Sequence, residues 1–106
     1  MIKNIEELKQ FLNRLKEENI IFLPHFYTKI KDRPYLNDKE IIKTVKDTKN
    51  LLGFQMQIIK NEERCRIGFK LSGKYILVLV TKIEGKNLYI ITAWKTNRKW
   101  QKAIQK

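Results

Sequence analysis

The stretch Arg64-Cys65-Arg66-Ile67-Gly68-Phe69-Lys70-Leu71-Ser72-Gly73-Lys74-Tyr75-Ile76-Leu77-Val78 decides the fold class. Polar and apolar residues alternate up to Leu71, as on a strand with one buried face; a Ser-Gly pair then marks a turn, and an apolar run follows it. Alternation continues outward on both sides. Turn signals at Asn61-Glu62, Ser72-Gly73 and Gly85-Lys86 divide it into four strands, at about 51–60, 63–71, 74–83 and 87–95. Consecutive hairpins predict an antiparallel sheet.

Before residue 51 the period changes. Ile5, Leu8, Phe11, Leu12 and Leu15 recur at helical spacing behind a capping Asn4, which predicts a helix to about Glu18. Pro24 suits the first position of a second helix carrying His25, Phe26, Lys29 and Ile30, ended by Arg33-Pro34. Asn37 or Asp38 opens a third, with Ile41, Ile42 and Val45 inward. At the other end, Thr96 or Asn97 is read as the cap of a short helix bearing Arg98, Lys99 and Trp100. The expected architecture is α+β: N-terminal helices, a four-stranded antiparallel sheet and a short C-terminal helix, in one domain spanning residues 1–106. No repeat or linker divides it.

Charge is unevenly spread. The chain holds 23 Lys and Arg against 11 acids, a formal net charge of +12. Lys3, Lys9, Arg14 and Lys16 balance Glu6, Glu7, Glu17 and Glu18, so the helical segment of residues 1–23 is neutral and residues 24–106 form a basic core. Such a field attracts phosphate backbones, which makes RNA the expected partner. One cysteine, Cys65, excludes an internal disulfide, and with one histidine it leaves no Cys/His zinc cluster. The sequence shows no phosphate-binding glycine loop or dinucleotide fingerprint, so no cofactor is expected. No apolar run reaches the ~20 residues of a membrane span, and the cytoplasm is the expected address.

Two-residue loops at all three turns set a register in which Arg66 faces Gln57 and Leu79, and Thr92 also faces Leu79. One sheet face then holds Phe54, Met56, Ile58, Cys65, Ile67, Phe69, Ile76, Val78, Val80, Ile91 and Ala93 as the core. The other holds Gln55, Gln57, Arg64, Arg66, Lys70, Tyr75, Thr92 and Trp94, interrupted by Leu77, Leu79 and Ile90. On that second face Arg64, Arg66 and Lys70 form a row suited to gripping phosphates or stabilising a transferring phosphoryl group, unless it is simply a solvated outer face. Tyr75, opposite Lys70, is the proton donor or acceptor of this reading, and His25 is its rival for that role. Trp94, Lys95, Arg98 and Lys99 interleave aromatic and basic groups as RNA-binding surfaces do. The acids Asp32, Asp38, Glu40, Asp47, Glu62 and Glu63 form no cluster on this face, so a nuclease here would work without a bound metal pair.

Residues 24–106 resemble the RelE/ParE-type toxin superfamily, within the barnase, EndoU, colicin and RelE group of ribonucleases. The likeness rests on the His-led segment His25 to Arg33, the Arg64 and Arg66 strand, the Ser72-Gly73-Lys74-Tyr75 hairpin, and the closing Ile91-Thr92-Ala93-Trp94. It implies a toxin of a toxin-antitoxin system, with a cognate antitoxin covering the basic site, and a hydrolase acting on RNA, free or as ribosome-bound mRNA. Because the superfamily also includes gyrase-directed toxins, only its general pattern of basic and aromatic groups is carried over. The leading expectation is a metal-independent endoribonuclease using 2′-hydroxyl attack, with Tyr75 or His25 moving protons and Arg66 and Lys70 stabilising charge. A non-catalytic RNA-binding or ribosome-associated module is the alternative, and a module docking an acidic protein is the third.

Overall fold

Asn4 accepts a hydrogen bond from the Glu7 backbone N–H at 2.9 Å, and behind that cap the apolar spacing forms α1 (Ile5–Arg14). The computed structural model describes residues 2–31, 33 and 36–97. Leu15 turns extended and buries its side chain, which closes α1 four residues before the expected Glu18. A short 3-10 turn (Glu17–Asn19) leads into β1 (Ile20–Phe22), a strand the sequence reading lacked. Pro24 begins α2 (Pro24–Ile30), and Asn37 caps α3 (Asp38–Lys46) by accepting the Glu40 N–H at 2.9 Å. Four long strands follow: β2 (Leu51–Ile59), β3 (Glu62–Lys70), β4 (Tyr75–Glu84) and β5 (Asn87–Asn97).

The expected four-stranded antiparallel sheet is corrected by β1. Among the described residues the sheet has five strands in the order β1-β5-β4-β3-β2, and β1 runs parallel to β5, pairing Ile20 with Leu88 and Phe22 with Ile90. Three residues are too few to show a period, and the partner lies almost seventy residues on. The C-terminal helix is corrected too. Thr96 and Asn97 belong to β5 rather than to a cap, and no helix follows α3 among the described residues. Arg98, Lys99 and Trp100 lie outside the described residues.

Loop lengths also correct the register. The β2–β3 turn is Lys60-Asn61, so Arg66 pairs with Gln55 instead of Gln57, a shift of two that keeps the side chains from Phe54 to Ile58 on their expected faces. Between β3 and β4 the loop has three residues: the N–H groups of Leu71 and Ser72 both bond to the Tyr75 carbonyl, and Ser72 Oγ accepts the N–H groups of Lys74 and Tyr75. Arg66 therefore pairs with Val80, not Leu79, and β4 is turned over. Leu77 and Leu79 face the helices, while Ile76 and Val78 face the other way against Leu52 and Trp94. The Gly85-Lys86 turn does have two residues, but a bulge at Ile91 shifts the pairing again, so Thr92 faces Val80 and Ile90 faces Thr81.

Helices α1, α2 and α3 cover one side of this sheet. Leu8 and Leu12 of α1, Phe26 of α2, and Ile41 and Val45 of α3 join Cys65, Ile67, Phe69, Leu77, Leu79, Leu88, Ile90 and Ala93 in one buried cluster. Each large side chain fully buried there contributes roughly 2 kcal/mol. The opposite side carries the cations.

Candidate functional site

Strand alternation places Arg64, Arg66 and Lys70 on the sheet face away from the helices, because Cys65, Ile67 and Phe69 between and beside them are buried in the core. Successive same-face residues on a strand stand about 7 Å apart, so the row runs for about 20 Å. On β5, Trp94 and Thr92 share this face. The Arg66 guanidinium lies 5.7 Å from the Trp94 ring centroid, across the β4 strand that separates them. Two one-residue shifts, at the Ser72 loop and at the Ile91 bulge, cancel for Thr92 and Trp94, which is why they stand beside Arg66 as expected.

Other expected members are elsewhere. Tyr75 alternates with Ile76, whose cross-strand partner is Lys70, so the phenol and the ammonium leave the sheet on opposite faces. Lys95 shares Tyr75's side, with its ammonium 4.4 Å from the Tyr75 ring centroid. His25 is exposed on the first turn of α2, whose Phe26 is buried in the helix-covered core. The structure thus gathers Arg64, Arg66, Lys70, Thr92 and Trp94, and separates them from Tyr75, Lys95 and His25.

Charge along the face is graded. At the β2–β3 end, Lys82 lies 3.2 Å from both Glu62 and Glu84, and Arg64 lies 3.6 Å from Glu62. The Lys82 hydrogen bond holds the Glu62 carboxyl below its ordinary value, and Glu84 with Glu62 raises the Lys82 ammonium. This end is compensated. Lys70, at the other end, is exposed and forms no ion pair among the described residues. Arg64 Nε is buried and finds no hydrogen-bond acceptor among the described residues, a state that costs about 1–3 kcal/mol for a donor.

Sequence reading missed Arg33. Its Nη1 donates to the Ala93 carbonyl at 2.6 Å and to Thr92 Oγ1 at 3.3 Å, tying the outer edge of β5 where β1 ends. Its place before Pro34 was legible, but its reach across 60 residues was not. A cavity of about 630 Å³ between α1 and the Gly85-Lys86 turn is lined by residues of both charges, including Glu7, Arg14 and Lys86, and none of them belongs to the cation row. Among the described residues no group of His, Cys, Asp and Glu is arranged to hold a metal ion. No helix among them is long and apolar enough to cross a membrane.

The chain matches no known family model, and comparison with curated proteins and with solved structures finds no similar protein.

Proposed function

We propose that the chain acts on RNA through the sheet face bearing Arg64, Arg66 and Lys70, as a toxin-like endoribonuclease of the RelE kind. The observation that carries this reading is the cation row itself, with Trp94 stacked against its central member. In the reaction a ribose 2′-hydroxyl gives its proton to water and attacks the adjacent phosphorus, the bond to the 5′-oxygen breaks as that oxygen takes a proton, and a 2′,3′-cyclic phosphate and a 5′-hydroxyl result. Arg66 and Lys70 stabilise the charge that builds on the phosphorane oxygens, where preorganised cations act most strongly. Trp94 and Thr92 hold the substrate strand. Tyr75 and His25, on the helical side, are not assigned to proton transfer; the exposed Lys70 ammonium is the acid available on the face. An antitoxin segment covering these cations would carry acidic residues.

A second reading is a non-catalytic RNA-binding module, and the separation of Tyr75 and His25 from the cations favours it. One experiment divides the two: purified protein in EDTA, on free RNA and on translating ribosomes, beside Arg66→Ala, Lys70→Ala and Tyr75→Phe. The nuclease reading expects cleavage that survives EDTA and Tyr75→Phe and falls at least about a hundredfold in the two cation variants. Binding without cleavage on either substrate would leave the module.

A further inference from the structure

We infer that the outer edge of β2 is a self-complementary interface through which two copies of this chain join into one continuous sheet. β2 is the last strand of the sheet, and among the described residues nothing pairs with its outer side. Natural edges are usually blunted by charge, by proline, by shortness or by a bulge, and the irregularity of β2 falls between Leu51 and Gly53, before the stretch that pairs here. The opposite edge, β1, is three residues long. β2 has nine, and Leu51 to Ile59 contains no charged residue and no proline in a chain that is 32% charged. Its Ile58 is 78% exposed.

The hairpin fixes which groups face outward. Lys60 and Asn61 have φ of 51° and 66°, which makes a two-residue type I′ turn closed by a hydrogen-bonded Ile59–Glu62 pair. Bonding alternates along an antiparallel strand, so Gln57 and Gln55 bond inward to β3, and Phe54, Met56 and Ile58 present their N–H and C=O groups outward.

An antiparallel pairing of two β2 strands about a two-fold axis at Met56 uses all three. Phe54 meets Ile58 of the second copy, Met56 meets its own counterpart, and Ile58 meets Phe54. On the other face Gln55 meets Gln57. Apolar side chains thus oppose apolar ones and amides oppose amides, with no charge in the central five pairs. Charge repulsion does not forbid it, although each copy carries +12. The nearest arginines, on β3 of each copy, stand three strand spacings apart, about 14 Å, which exceeds the Debye length of about 8 Å at physiological salt. Both cation rows emerge on the same side of the joined sheet, doubling the basic surface.

Sedimentation equilibrium over a range of concentrations tests this, with hydrogen exchange read residue by residue. The expected result is a monomer–dimer equilibrium that strengthens with added salt, and amides of Phe54, Met56 and Ile58 that become protected as concentration rises while Gln55 and Gln57 are protected throughout. Ile58→Lys is the disrupting variant. The new side chain faces Glu63 within its own hairpin and stays exposed in the monomer, so the fold should survive, as circular dichroism would verify. The substitution enters the dimer twice and should weaken it about tenfold or more. A chain that stays monomeric to its solubility limit would overturn the inference. So would a dimer that salt weakens, or that forms without the alternating protection or unchanged by Ile58→Lys.

Discussion

Cys65 shows how one residue's chemistry follows from its side of a strand. It is 1% exposed beneath the helices, and burial pushes its thiol up to about 12 from an ordinary 9.0. At pH 8 the native thiol should react with a disulfide or alkylating reagent roughly a thousandfold more slowly than in the unfolded chain, a difference that a thiol titration with and without denaturant measures. The linkage has a direction. Above pH 9 the unfolded chain ionises this thiol and the native one does not, so native stability present below pH 9 is lost as pH climbs toward 12. Alternation alone placed Cys65 inward and Arg64 and Arg66 outward. Arg33 was illegible by the same logic: nothing local foretells that its guanidinium seats on the Ala93 carbonyl.

At the scale of elements, turns matter more than strands. Lys60 and Asn61 both sit in the left-handed region, where a side chain costs about 1 kcal/mol and Asn-Gly is preferred. Lys60→Asn with Asn61→Gly should therefore raise stability by about 1 kcal/mol in thermal unfolding. Gly85, at φ 60°, illustrates the converse. An added methyl would meet nothing within 4 Å, so Gly85→Ala isolates the backbone cost and should lose about 1 kcal/mol. Helix starts were readable because caps act within three residues, as Asn4 and Asn37 do. Loop lengths were not. Ser72-Gly73 marks a turn equally well with two residues or three, yet the third residue inverts β4 and takes Tyr75 from Lys70.

For the whole molecule, the +12 charge makes salt the principal variable. If the proposed RNA reading holds, affinity for RNA should fall linearly on a log–log plot against salt, and Lys70→Ala should lower the slope by roughly one, measured by fluorescence titration at several ionic strengths. Self-association through β2 should respond oppositely, since its uncharged edge gains when repulsion between copies is screened. By itself the sequence determined the charge asymmetry, the helix-rich first half and strand-rich second half, the caps at Asn4 and Asn37 though not the one expected at Thr96 or Asn97, and the alternation that puts three cations on one face, because each of these is set by composition or by neighbours a few residues away. Only the tertiary structure decided that Ile20-Ile21-Phe22 is a strand, that β4 turns Leu77 and Leu79 inward, and that Tyr75 leaves the cation face while Trp94 stays on it. Those outcomes depend on pairings between distant segments and on loop lengths counted to a single residue, and with a period of two a single residue decides the face.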